Sequence, residues 1–340
     1  MPNCELKQYL LMTLDPVHIG TGGYRLGRVD NSIAREPGTK LPKIPGTSLN
    51  GAIRTYASYV YEKVKCAGQS GHCGQSTCPI CYTFGSVKGE GDKQQSRAGT
   101  INIFDAQILF FPVWSMMGPV WITTKQILKR FGWTINNCDN SCKAHLNDNQ
   151  FAGTFERDNA LNFGWLMLEQ AKNEGHIEIK RKDDYEEYKI IKDRIAVVSD
   201  HIFSRIVNDN LEVRTSVSIN PETGAAESGA LFTYEAIPRS TFLMLEVVED
   251  DFSGNFPTVK KKAKLKNNNK DKKEYEDNAG EDLSEDMDSP VKVFESGLSR
   301  IEMLGVGGMG TRGFGRVRWV KTTKNNDQNS KKPEDNGNGR

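Results

Sequence analysis

The sequence predicts an α+β domain. Strand-like apolar segments at 7–14, 101–111, 241–248 and 317–320 are interspersed with helix-like segments at 47–64, 159–173 and 291–304, without the regular alternation of a parallel βαβ protein. At 340 residues, with 37% hydrophobic and 26% charged residues, the chain has ample material for a core. It contains no run of about 18 apolar residues of the kind that crosses a membrane.

Residues 7–14 carry the apolar content of a strand. A glycine-rich turn follows, His18-Ile-Gly-Thr-Gly-Gly23, and then Arg28-Val-Asp30. The signal Pro45-Gly-Thr-Ser48 opens the helix predicted over 47–64, which places Leu49, Ile53, Tyr56 and Val60 on one face and carries Arg54. Residues 211–232 alternate like a hairpin, with Val213, Thr215, Val217 and Ile219 leading into the turn Asn220-Pro-Glu-Thr-Gly224. Residues 253–290 and 322–340 are polar enough to be expected disordered. In the former, eight lysines between Lys260 and Lys273 precede eight acids between Glu274 and Asp288, and the two runs cancel. The net charge of +1 therefore describes no general basic field, and any polyanion must be held by locally placed arginines.

Seven cysteines in a chain that begins without the features of a secretion signal are expected to be thiols in the cytoplasm. Four of them, Cys66, Cys73, Cys78 and Cys81, close on a Cys-x2-Cys spacing that lets two thiolates reach one ion, which predicts a structural zinc with no open position for catalysis. His72 is an alternative to Cys73. Cys138, Cys142 and His145 form a weaker group read as incidental, and Cys4 is expected in the core.

Near the C-terminus, Gly305-Val-Gly-Gly-Met-Gly-Thr-Arg-Gly-Phe-Gly-Arg-Val-Arg-Trp319 interleaves six glycines with three arginines and two aromatics. Such a loop can bring backbone close to a phosphate and offer guanidinium forks to it, or it can be a tight hairpin before the strand at 317–320. Taken in order, "HIGTG", "RVDNSIARE", "LPKIPGTSLNGAIR", "FFPVWSMMGPVWITT", "SGALFTYEAIPR" and "GVGGMGTRGFGRVRW" resemble the RAMP superfamily of CRISPR proteins. Within it they look most like the backbone subunit of the type III-B (Cmr) effector.

The resemblance implies a ferredoxin-like, RNA-recognition-type palm over 1–252 and 291–321, with the hairpin 211–232 as a thumb and 66–81 as a zinc-stapled insertion. It implies a subunit that polymerises along crRNA beside other type III effector subunits and cleaves complementary single-stranded target RNA every six nucleotides. Asp30 aligns with the family's catalytic aspartate in "VD-x-x-I-x-R-E", against a loop-capping reading from sequence chemistry alone. His18 and Glu235 are the expected helpers, with His18 equally a loop anchor or an RNA contact, and Mg²⁺ is the expected catalytic ion. The expected RNA contacts are Gly20, Gly22, Arg28, Arg35, Ser48, Asn50, Arg54, Arg214, Gly308, Gly310, Arg312 and Arg316. The chain departs from the family at Asn50, where Lys is frequent, at Trp114, where Arg is frequent, and in its cysteine cluster. A catalytically silent crRNA scaffold is the alternative, and a histidine-centred guide-processing nuclease is a further one.

Overall fold

A computed structural model describes residues 3–22, 29–68, 72–88, 95–136, 146–155, 160–171, 177–257 and 289–323. At its centre lie four antiparallel strands in the spatial order Ala106–Ser115, Phe242–Asp251, Asn3–Thr13, Val317–Val320. Helix Gly46–Val60 follows the first of these in sequence, and helix Pro290–Leu304 precedes the last. Stripped of insertions, the chain runs β-α-β-β-α-β, the split βαβ arrangement of a ferredoxin-like fold. The predicted α+β class holds.

Strand alternation explains why residues 9–11 read as an unbroken apolar run. Tyr9 and Leu11 face a core shared with the two helices, and Leu10 faces a second core on the opposite side of the sheet. That second core is filled by Phe110, Trp133, Tyr185 and Ile195. Much of it comes from the insertion between Ala106–Ser115 and Phe242–Asp251, which extends the sheet through Gly118–Thr124, Ile195–Val198, Gln150–Gly153, Leu166–Gln170 and Leu161–Phe163. No described helix is long and apolar enough to cross a membrane.

The two helices touch where Gly297 meets Ile53. A Cβ at Gly297 would lie 2.3 Å from the Ile53 carbonyl oxygen, so the helix axes must separate to admit any side chain. Gly→Ala in an exposed helix gains about 1 kcal/mol. Here Gly297→Ala is expected to lose about 1–3 kcal/mol through overpacking. Chemical denaturation checks the sign.

Several sequence expectations are corrected. The described residues of the segment 159–173, which are 160–171, form no helix. They hold a pair of strands, Leu161–Phe163 and Leu166–Gln170, because Leu161, Phe163 and Leu168 alternate onto a buried face and Gly164 turns the chain at φ +63°. The segment 101–111 breaks at Phe104 and Asp105, where the Asp105 carboxylate accepts the Gly46 N–H at 2.8 Å. Asp105 thereby caps the first helix. Cys4 is exposed, in the part of its strand flanked by Phe242–Asp251 alone. Of the residues expected disordered over 253–290, the described ones at both ends are structured: Ser253 bonds the Tyr82 hydroxyl at 2.7 Å, Phe256 packs on the Tyr82 ring, and Pro290 opens a helix capped by Ser289. Thr322 and Thr323 are tied to Tyr185 and Asp184. Residues 258–288 and 324–340 lie outside the described residues, as do Cys138, Cys142 and His145.

Candidate active site and cysteine centre

The expected hairpin exists as Glu212–Ile219 and Ala226–Ala236, with the Asn220 side chain accepting the backbone N–H groups of Glu222 and Thr223 in the turn. Its base is where the two glycine-rich segments meet. Val17 and Ile237 exchange both backbone bonds at 2.9 Å, the Gly308 N–H donates to the His18 carbonyl at 3.0 Å, and the Gly315 N–H donates to Pro16 at 2.9 Å. A Cβ at Gly307 would sit 2.5 Å from the His18 carbonyl oxygen. That glycine therefore serves the approach of one protein loop to another. A Cβ at Gly22, Gly310 or Gly313 would meet nothing within 4 Å among the described residues.

Asp30 lies on this junction. Asn31 donates to the Thr233 carbonyl at 3.0 Å, and the Glu235 N–H donates back to Asn31 at 3.1 Å, so the loop runs alongside the hairpin strand. The Asp30 Oδ2 accepts the Thr233 N–H at 2.7 Å and its hydroxyl at 3.0 Å, while the residue stays exposed. The loop-capping alternative becomes a bridge between loop and hairpin. First the Thr233 N–H and then its hydroxyl hold the carboxyl below its ordinary pKa, so Asp30 is an anion at neutral pH and a weak proton acceptor.

Thr233→Val removes one of these donors and is expected to raise the Asp30 pKa, read by carboxyl carbon NMR titration. A group with a depressed folded pKa contributes stability above its unfolded pKa and loses it as pH falls through the folded value. The variant should therefore be less stable than wild type near neutrality, with the difference vanishing in acid. An unmoved titration would remove the hydroxyl from the account.

His18 and Glu235 are placed as supports. The His18 Nδ1 lies 2.6 Å from the Glu235 carbonyl oxygen, which can only accept, so Nδ1 carries a proton. With 6% of its surface exposed, His18 fits the loop-anchor reading. The Glu235 carboxylate binds the Arg35 Nη2 at 2.7 Å, and Arg35 also donates to Asn208 at 2.9 Å and to Ile33 at 3.1 Å. Both ends of that ion pair are committed to holding the loop.

Among the other expected contacts, Arg312 stands over the Phe232 ring at 5.7 Å and Arg214 over Phe314 at 4.6 Å, with Phe314 edge-on to Tyr234. Arg316 and Arg239 share the buried Asp15 carboxylate, and the bond from Arg316 holds Asp15 below the usual carboxylate pKa. Gly20 packs by His18, and Ser48 and Asn50 occupy the first turns of helix Gly46–Val60. Arg28 lies outside the described residues. Thr233, Asn208, Asp15 and Arg239 escaped the sequence reading. Thr233 alone was detectable, since strand alternation puts it on the same face as Glu235.

Arg54 is corrected. It is 8% exposed and turned inward, donating to the carbonyls of Cys66 at 2.7 Å and Gly85 at 2.9 Å, so it presents no fork to an external phosphate. The reason is the neighbouring cysteine loop.

Cys66, Cys73, Cys78 and Cys81 bring their sulfurs within 4.8 Å of one another. The separations 73–81, 66–81 and 66–78 are 3.6, 3.7 and 3.8 Å. A tetrahedral ion with bonds of about 2.3 Å sets its sulfurs about 3.8 Å apart, whereas a disulfide needs about 2.05 Å. The four cysteines can therefore coordinate a metal. His72 is not among them, its Nδ1 accepting the Val87 N–H at 3.0 Å. Burial pushes the Cys66 thiol pKa up, and the hydrogen bond to Cys81 and burial push that of Cys78 up. Without a cation these groups resist becoming thiolates.

These features define a ferredoxin-like domain whose terminal glycine loops close against the base of a hairpin carrying an exposed, pinned aspartate. The chain belongs to the RAMP superfamily, which it matches over residues 10–318. It is 34% identical over 251 residues to the CRISPR system Cmr endoribonuclease Cmr4 of Pyrococcus furiosus, covering 69% of this chain and 79% of that protein. A chain of the cryo-EM structure of type III-B Cmr-beta bound to cognate target RNA has the same fold, with a TM-score of 0.57 at 15% identity over 94% of this chain and 98% of that one. A crystal structure of Cmr4 gives a TM-score of 0.51 at 21% identity, over 93% and 99% of the two chains.

Proposed function

We propose that this chain is the crRNA-binding backbone subunit of a type III CRISPR effector and an endoribonuclease that cuts complementary target RNA. The observation that carries the cleavage reading is Asp30, an exposed carboxylate pinned by Thr233 at the hairpin base. Copies assemble along the guide with other effector subunits. The hairpin acts as the thumb that interrupts the guide–target duplex, giving cuts six nucleotides apart.

Cleavage proceeds by attack of the target's 2′-hydroxyl on the adjacent phosphorus: the O2′–P bond forms, the P–O5′ bond breaks, the 2′-hydroxyl gives its proton to solvent and the departing 5′-oxygen takes one from it, leaving a 2′,3′-cyclic phosphate and a 5′-hydroxyl. Interruption of the duplex splays the backbone toward in-line attack. Asp30 stays ionised and orients the reacting segment. Its low proton affinity suits it to holding a hydrated cation better than to taking the proton itself. Mg²⁺, held by Asp30 and RNA phosphates, would supply charge for the phosphorane. His18 and the Arg35–Glu235 pair fix the loop that carries Asp30. Arg312 and Arg214, displayed around the glycine loop and hairpin base, contact phosphates and so leave the guide sequence unrestricted. Zinc in the cysteine centre is structural, since four sulfurs fill a tetrahedral ion.

The test is a labelled, guide-complementary RNA given to the reconstituted guide complex with Mg²⁺. Evenly spaced products ending in cyclic phosphate are expected. Tight target binding with no products would make the chain a silent scaffold, the reading favoured by Asn50 in place of lysine.

A further inference from the structure

Arg54 presents a charge problem. Its guanidinium is buried between the two ends of the loop that supplies the cysteines, with Nε bonded to the Cys66 carbonyl at 2.7 Å and Nη1 to those of Gly85 and Phe84 at 2.9 and 3.3 Å. Among the described residues its buried Nη2 has no hydrogen-bond partner. All its bonded partners among the described residues are neutral carbonyls. A guanidinium taken from water without an anion is strongly unfavourable.

The adjacent sulfur tetrad has the opposite problem. Three of its cysteines are buried, and a divalent ion held by four thiolates carries a net charge of −2 in the same core. Four neutral thiols would leave Arg54 uncompensated, whereas a loaded centre places an anion beside it, with all four cysteines coupled electrostatically to its guanidinium. The two groups answer each other.

We propose that Arg54 is the charge-balancing residue of the cysteine centre, favouring its metal-loaded, four-thiolate state; this rests on reading Cys66, Cys73, Cys78 and Cys81 as a metal site. Arg54 is a positioning residue that acts through the sulfurs and the loop ends, and it ligates nothing. Its place on helix Gly46–Val60 ties metal loading to that helix.

The test uses the full-length chain loaded with one equivalent of zinc and a chromophoric chelator in competition. Arg54→Met keeps an unbranched stem and removes the guanidinium with its charge, and is expected to weaken zinc binding by at least about tenfold, as loss of an outer-shell partner does. Arg54→Lys keeps the charge and loses the fork, and should recover part of the affinity. Equal zinc retention in wild type and Arg54→Met overturns the proposal and leaves the metal site standing. A wild-type chain that binds no zinc sinks both.

Charge is separated from packing in a Cys73→His background, where a neutral ligand lowers the centre to −1. There the cost of Arg54→Met should shrink. An undiminished cost would mean that Arg54 acts by filling space, and the proposal would fail. Should Arg54→Met not fold, the comparison of Arg54→Lys with Arg54→Gln decides on the same terms: equal affinity of that pair overturns the charge role.

Discussion

Asp30→Ala is expected to reduce target cleavage in the reconstituted guide complex by at least about 100-fold while leaving target affinity unchanged. The magnitude follows from removing a positioned acid–base or ion-holding group, effects worth about 10²–10⁴ in rate. Unchanged affinity follows from the geometry. Asp30 is exposed, and its side chain accepts two bonds from Thr233. The loop remains attached without it through the Asn31 backbone bonds and the Arg35–Glu235 pair. Asp30→Asn should behave as Ala does, since the amide keeps the shape and loses the charge. Cleavage products are resolved on a sequencing gel, and binding is measured by filter retention at fixed salt. A variant that cuts within tenfold of wild type would move the chemistry to another residue.

Arg35→Gln provides an intermediate case. It leaves Asp30 in place, removes the guanidinium from the Glu235 carboxylate and loosens the loop. Cleavage should fall about tenfold, less than with Asp30→Ala, because positioning is degraded and the carboxylate is retained. Single-turnover rates with saturating complex distinguish this from a binding defect.

The fold was legible where periodicity was strong and local. The strand at 317–320, the helix at 291–304 and the hairpin with its Asn-Pro-Glu-Thr-Gly turn all stand where they were expected. Residues 159–173 failed because a short apolar run fits both periods, and the arbiter is tertiary: Asn162 accepts the Met116 N–H from a neighbouring hairpin and donates to Gly164. The candidate site was legible as separate segments: His18, Asp30, Glu235 and the glycine loop lie together at the hairpin base, and their roles belong to the proposed function. Their division of labour was hidden, because whether a glutamate is free or paired depends on an arginine 200 positions away. Arg54 misled for the same reason. On a helix wheel it reads as a surface cation, and a loop closing 12 residues later buries it.

Removal of the metal from the cysteine centre is expected to have the largest effect on stability. Cys66, Cys78 and Cys81 belong to the main core together with Ile80 and Phe84, and the short helix Pro79–Phe84 packs against both long helices. Zinc bound at about 1,000 times its dissociation constant contributes about 4 kcal/mol to the folded state. Chelation should therefore lower the thermal midpoint of the wild-type protein, and Cys81→Ser should start from a lowered midpoint that chelation no longer moves. Metal analysis should give one zinc per wild-type chain and a reduced content in the variant. The contrast with Asp30→Ala would separate two centres: loss of the aspartate is expected to silence cutting in a folded protein, whereas loss of the metal is expected to loosen the packing of the two long helices around Pro79–Phe84. Equal midpoints with and without chelator, in a chain shown to hold zinc, would place the metal outside the folding core.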